Sequence, residues 1–172
     1  SYVLTNAHVV IDPDGTGKQC DLIVGFTDKS TEAPDTYVPA ETILSDNNLD
    51  LAVLRLIDLA SGKPMIAKGR APIDVQQLEL KLGEEISALG YPGIGGLSIT
   101  YSKGSVSGTI NIPRDTRDNE GGYGEFIKTT DLNLNQGNSG GAAFNSTGQF
   151  IGIPTAVFGA EVICEDELCF AE

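Results

Sequence analysis

The chain is expected to be all-β, and three observations carry that expectation. Its apolar residues come in short segments rather than long amphipathic stretches. Those segments tend to alternate apolar and polar residues, and turn chemistry rich in Gly, Pro, Asn and Asp separates them. No heptad pattern, solenoid-length repeat or low-complexity tail competes with this reading. Short strands joined by loops favour an antiparallel barrel or sandwich over a helical protein.

Taken in order, Val3-Leu4 forms an extended segment leading to His8, and Asp12-Pro13-Asp14-Gly15-Thr16-Gly17 is a turn. That turn resembles the opening of a calcium loop but lacks the glutamate that closes an EF-hand ligand set, so a plain turn is expected. Leu22–Phe26 is a strand, Thr27–Thr36 a polar loop and Tyr37–Leu44 another extended piece. Leu51–Ile57 is the most apolar strand. From Ser61 to about Leu82 the pattern weakens around Pro64, Pro72 and Gln76-Gln77. Glu85–Gly90 begins a second set of strands, followed by Leu97–Tyr101 and Ser105–Ile110. Pro113–Gly124 is charged and glycine-rich, which fits an exposed loop.

Composition excludes several function classes. With 172 residues the chain has the length of one domain, enough to bury about 70% of its unfolded surface. Hydrophobic residues make up 40% and charged residues 20%, and no apolar run approaches the ~18 residues that would suggest a membrane helix. A formal charge of −13 with eleven Lys and Arg opposes phosphate backbones and anionic lipid surfaces, so neither nucleic acid nor membrane is expected as a partner. No Cys and His grouping has metal-ligand spacing, so neither a metal nor a cofactor is expected. Cys164 and Cys169 bracket a short polar segment that fits a hairpin tip closed by a disulfide; two reduced thiols fit equally, and Cys20 is left over.

The chemistry concentrates at Gln136-Gly137-Asn138-Ser139-Gly140-Gly141. A serine among three glycines cannot sit well inside a helix or strand, whereas a tight loop there would turn backbone N–H groups toward one point beside an exposed hydroxyl. A serine hydroxyl becomes a useful nucleophile only when a base takes its proton. His8 is the sole histidine, so a Ser-His mechanism must use it. An acid should then fix the imidazole tautomer, and Asp50, at the mouth of the apolar strand, is the candidate. Asp46 is the runner-up, although Ser45, Asn47 and Asn48 around it suggest a solvated turn.

The order His, Asp, Ser is that of the chymotrypsin-like fold and differs from those of subtilisins and α/β-hydrolases. Thr5-Asn6-Ala7-His8-Val9-Val10, Asp50-Leu51-Ala52-Val53-Leu54, Gly90-Tyr91-Pro92 and Gly137-Asn138-Ser139-Gly140-Gly141 together resemble the trypsin-like serine proteases, most closely their HtrA-like (DegP-like) bacterial branch. Gly104–Gly108, Phe126–Asp131 and Gly148–Ile153 add to the resemblance, which runs from the first residue to about Val157. It implies two antiparallel β-barrels of the six-stranded type. Residues 1–63 would form the first, 64–82 the connection and 83–172 the second, all within one protease domain. HtrA-like domains carry further strands before the histidine segment, and this chain has no signal peptide and opens inside a strand-like run. A fragment or processed form with an incomplete first barrel is therefore expected.

The resemblance further implies a serine endopeptidase in which His8 takes the Ser139 proton, Asp50 orients His8, and the N–H groups of Gly137 and Ser139 form the oxyanion hole. It places Asn133 at the floor of the primary specificity pocket, where the absence of charge argues against a Lys or Arg preference. Pro154, Thr155, Ala156 and Val157 would border the substrate, with Pro154 removing a backbone donor from that strand. Asn138 cannot supply the charge with which propeptide-activated relatives pair a new amino terminus; HtrA-like proteins are instead regulated by loop ordering and oligomerisation. The implied partner is an unfolded or extended polypeptide, a homo-oligomer stays open, and the setting is extracytoplasmic: periplasm, cell envelope or secreted. A catalytically inactive peptide-binding or scaffold domain of the same fold is the alternative, and an esterase the second rival.

Overall fold

The computed structural model describes residues 1–11, 22–76, 78–91, 98–112, 124–134, 137–155, 162–165 and 168–171. The expected turn at 12–17, Cys20, Gln77, Pro92, Leu97, residues 113–123 of the glycine-rich loop, Gln136, Ala156 and Val157 lie outside them. Among the described residues there is no helix.

Four strands form the first sheet: β1 (Tyr2–Thr5), β2 (Leu22–Phe26), β3 (Thr36–Asp46) and β4 (Leu51–Leu56), in the order β1-β4-β3-β2 and antiparallel throughout. The alternation in β4 is what seats it. Ala52, Leu54 and Leu56 point inward and are buried, while Leu51, Val53 and Arg55 between them are partly exposed. With Val10 and Ala40 they form a core cluster, against which Val3, Val24, Phe26 and Met65 pack. On the other face Arg55 meets its cross-strand partner Glu41, Nη to Oε1 at 2.6 Å. The third strand runs longer than Tyr37–Leu44 because it accommodates a bulge between Thr42 and Leu44, beyond which pairing resumes to Asp46↔Leu51. That extension carries the sheet to the turn holding Asp50.

The second sheet has β5 (Glu85–Gly90), β6 (Thr100–Ile112), β7 (Gly124–Thr130), β8 (Ala142–Asn145) and β9 (Phe150–Gly152), in the order β7-β6-β5-β8-β9. Ile86, Ala88, Val106 and Ala143 are its buried apolar residues. One expectation is corrected here: Thr100-Tyr101 and Ser105–Ile110 belong to a single strand, Thr100–Ile112, and not to two. Gly104 does not turn the chain. It lets β6 press on its neighbour, since a Cβ there would meet the Thr130 carbonyl and the backbone of Leu132. The irregularity falls instead between Val106 and Gly108, where the register shifts and Gly108 has φ 151°. The two sheets make the all-β, two-barrel architecture of the trypsin-like fold, with four and five strands among the described residues.

Between the sheets, Ile57 bridges to Pro64, and no strand occurs among the described residues of 65–84. Arg70 ties this connection back to the first sheet: its guanidinium meets Asp28 at 2.7 Å and the Thr27 carbonyl at 2.9 Å, and it lies 5.4 Å from the centre of the Phe26 ring. A hairpin of β10 (Val162–Glu165) and β11 (Leu168–Ala171) stands as a separate two-stranded sheet, in register so that Cys164 faces Cys169 across the ladder.

Candidate active site

The last turn of chain after β1 and the turn before β4 lie side by side because β1 and β4 are ladder partners, Thr5 opposite Ala52. The first turn closes with Val10 N–H donating to the Ala7 carbonyl at 3.1 Å, which presents His8 half-buried at the sheet's edge. The second bends at Asp50, whose φ of 49° lies in the left-handed region that non-glycine residues seldom enter. Asp46 caps its own turn by accepting from Asn48 N–H at 2.8 Å and Leu49 N–H at 3.2 Å. Asp50 is 2% exposed and turns to His8.

Three groups donate to the Asp50 carboxylate. The His8 backbone N–H reaches Oδ1 at 3.0 Å, and His8 Nδ1 reaches Oδ2 at 2.8 Å. The Thr155 hydroxyl also donates to Oδ2. An ionised carboxylate can only accept, so the shared proton sits on Nδ1 and the imidazole presents Nε2 as its acceptor. Burial without such donors would cost the carboxylate several kcal/mol. Thr155 thus meets the acid, a contact that its expected place along the substrate strand did not anticipate.

Ser139 comes from the second sheet. Its loop is wedged between β5 and β1: a Cβ on Gly141 would run into the Leu89 carbonyl, one on Gly90 into the Asn138 side chain, and one on Gly140 into the Thr5 hydroxyl. Gly137 and Gly140 adopt φ of 94° and 75°, which favour glycine. Asn138 is buried at 3%, its carbonyl accepting from Gly141 N–H at 3.0 Å, and the Gly137 carbonyl accepts from Tyr91 N–H at 3.2 Å. Partial burial holds the Tyr91 phenol above its ordinary pKa. Ser139 itself is partly exposed and forms part of the wall of a cleft of about 1040 Å³ between the two sheets, with Leu4, Val53, Leu89 and Phe150 among its apolar lining.

His8, Asp50 and the Ser139 loop are therefore drawn to the same junction of the sheets, with Asn6 bonding both to the Asp50 carbonyl at 2.9 Å and to Gly140 N–H at 2.6 Å. No hydrogen bond joins His8 to the Ser139 hydroxyl. Asn133 is exposed, and its carbonyl accepts from the Ser102 hydroxyl at 3.0 Å. Pro154 is partly buried. Among the described residues no group of three or more His, Cys, Asp or Glu side chains could hold a metal ion.

Residues 1–153 match the trypsin-like peptidase domain family. The chain belongs to that family. Within it, similarity runs to the HtrA-type branch. A probable periplasmic serine endoprotease, DegP-like, of Ectopseudomonas mendocina is 35% identical over 157 residues, which cover 91% of this chain and 27% of that protein. The serine endoprotease DegS of Escherichia coli is 34% identical over 157 residues, covering 91% of this chain and 37% of its own length. Among solved structures, a variant of the HtrA-type protease AlgW with a tripeptide superposes with a TM-score of 0.66 at 29% identity, covering 92% of this chain and 44% of that one. The chain thus spans about a third or less of the length of these curated relatives.

Asn6 and the acid-binding role of Thr155 were missed in the sequence. Asn6 sits two residues before His8, in a segment that carries the resemblance, but its partner Gly140 is 134 residues away. No spacing rule reaches that far.

Proposed function

We propose that this chain is a serine endopeptidase domain that hydrolyses peptide bonds in extended or unfolded polypeptide through an acyl-enzyme. The observation that carries the reading is the buried Asp50 carboxylate gripping His8 Nδ1 at 2.8 Å beside the glycine loop that bears Ser139. With Nδ1 occupied, Nε2 takes the hydroxyl proton as Ser139 Oγ attacks the carbonyl carbon. The imidazolium so formed is stabilised by Asp50 and then protonates the leaving amine. Water, deprotonated in turn by His8, attacks the acyl carbon; as the bond to Ser139 Oγ breaks, His8 returns the proton to that oxygen and the second product leaves. The N–H groups of Gly137 and Ser139 hold the oxyanion, with Gly137 in the left-handed backbone that glycine readily adopts.

In this reading Asn133 lines the primary pocket and supplies no charge, while Pro154, Thr155, Ala156 and Val157 border the substrate, favouring a small or aliphatic residue before the cleaved bond. The names of the relatives, serine endoproteases described as periplasmic and an HtrA-type protease solved with a tripeptide, support a polypeptide substrate and an extracytoplasmic setting.

The absence of a hydrogen bond between His8 and the Ser139 hydroxyl favours a second reading, an unactivated form in which the two side chains meet only with substrate bound. Digestion of an unfolded, fluorescently tagged casein tests the primary reading. Release of peptides by the parent chain, lost in Ser139→Ala with the circular dichroism spectrum unchanged, is the expected result. Equal digestion by both proteins would refute it.

A further inference from the structure

Asn6 is buried at 1% and uses both ends of its amide across the junction of the two sheets. Its Nδ2 donates to the backbone carbonyl of Asp50 at 2.9 Å, and its Oδ1 accepts from the backbone N–H of Gly140 at 2.6 Å. The first partner belongs to the residue whose carboxylate holds His8; the second belongs to the peptide unit that begins at Ser139. One short planar group therefore spans the acid turn of the first sheet and the serine loop of the second.

The surroundings make the span specific. Asp50 sits at φ 49°, where non-glycine residues are seldom found, with both its carbonyl and its carboxylate hydrogen-bonded. Gly140 sits at φ 75° with no room for a Cβ against the Thr5 hydroxyl, so the loop can approach the end of β1 only at this glycine. Filling the gap requires a donor and an acceptor on a side chain of fixed length. Aspartate supplies only the acceptor, leucine neither, and alanine does not reach.

We propose that Asn6 is a positioning residue that sets the separation between the His8–Asp50 pair and Ser139 by bonding the backbone on both sides. This rests on the reading of Ser139 as nucleophile. A displacement near 1 Å of a reacting group commonly costs about a hundredfold in rate, so a strut one peptide unit from the serine should be felt in turnover more than in substrate binding.

The test compares the parent chain with Asn6→Ala and Asn6→Asp by amide hydrogen exchange at Gly140, by the rate of labelling with a fluorophosphonate, and by kcat and KM on casein. Asn6→Ala is expected to speed exchange of the Gly140 amide by about fivefold or more, the loss of one hydrogen bond, while amides of the β3–β4 ladder keep their protection. Labelling and kcat should fall about 10 to 100-fold with KM little changed. Asn6→Asp, which keeps the acceptor and loses the donor, should retain Gly140 protection yet still label slowly; it carries the test if the alanine variant does not fold. Parent-like labelling in both variants, or parent-like Gly140 exchange in Asn6→Ala, overturns the proposal. A parent that never labels, with Gly140 still released by Asn6→Ala, removes the nucleophile reading while leaving the strut in place.

Discussion

The Asp50 carboxylate is nearly out of contact with water yet accepts from His8 twice and from Thr155 once, so each donor bears on how His8 is held. Asp50→Asn should keep the shape but offer an amide donor toward Nδ1, favouring the wrong tautomer; kcat is expected to fall about 10⁴-fold with the melting temperature within a few degrees of the parent. Thr155→Val removes a hydrogen bond to a charged acceptor, worth about 1.5–3 kcal/mol. The expectation is a kcat reduced by roughly tenfold or more, read from initial rates on casein, and no change would show that the hydroxyl leaves the acid's orientation untouched. Asp50 was legible in the sequence because a carboxylate opening so apolar a strand needs partners. The Thr155 bond to its carboxylate and the Asn6 bond to its carbonyl were not, since each spans residues far apart in the chain and neither follows from local sequence.

At the scale of elements, β4 is the strand on which the first sheet depends. Leu56 has no exposed surface, and Leu56→Ala should cost about 2–5 kcal/mol, measured as a lowered urea midpoint with unchanged slope. The turn after β4 holds a smaller lever. The Ser61 hydroxyl and then its backbone N–H bond the Asp58 carboxylate and keep its pKa below the ordinary value. A carboxyl depressed on folding adds stability above its unfolded pKa and loses it as pH falls through the folded one. Ser61→Ala should therefore raise the Asp58 pKa in an NMR titration. Strands with clean alternation, β4 and β5, were legible because period 2 and burial agree along them. The continuity of β6 was not, because Gly104 breaks the run of side chains, and the reason for it is the backbone of Thr130 and Leu132 on the neighbouring segment.

For the whole molecule, the two sheets matter because their junction brings the Asp50 turn, the His8 turn and the Ser139 loop to one place. The order of those segments, and the glycines that only a wedged loop needs, made the architecture and family readable. How closely His8 and Ser139 approach was not readable, since that depends on contacts between sheets rather than on any one segment. A net charge of −13 on 172 residues also makes the folded chain repel itself, so its melting temperature should rise as salt is added from low ionic strength. Reaction of the full chain with a fluorophosphonate, followed by mass-spectrometric mapping of the adduct, bears most closely on Ser139 as the nucleophile. A single adduct on Ser139 is expected, disappearing in His8→Ala and fading strongly in Asp50→Asn. A folded parent that takes no label, or labels equally well without its imidazole, would refute that role.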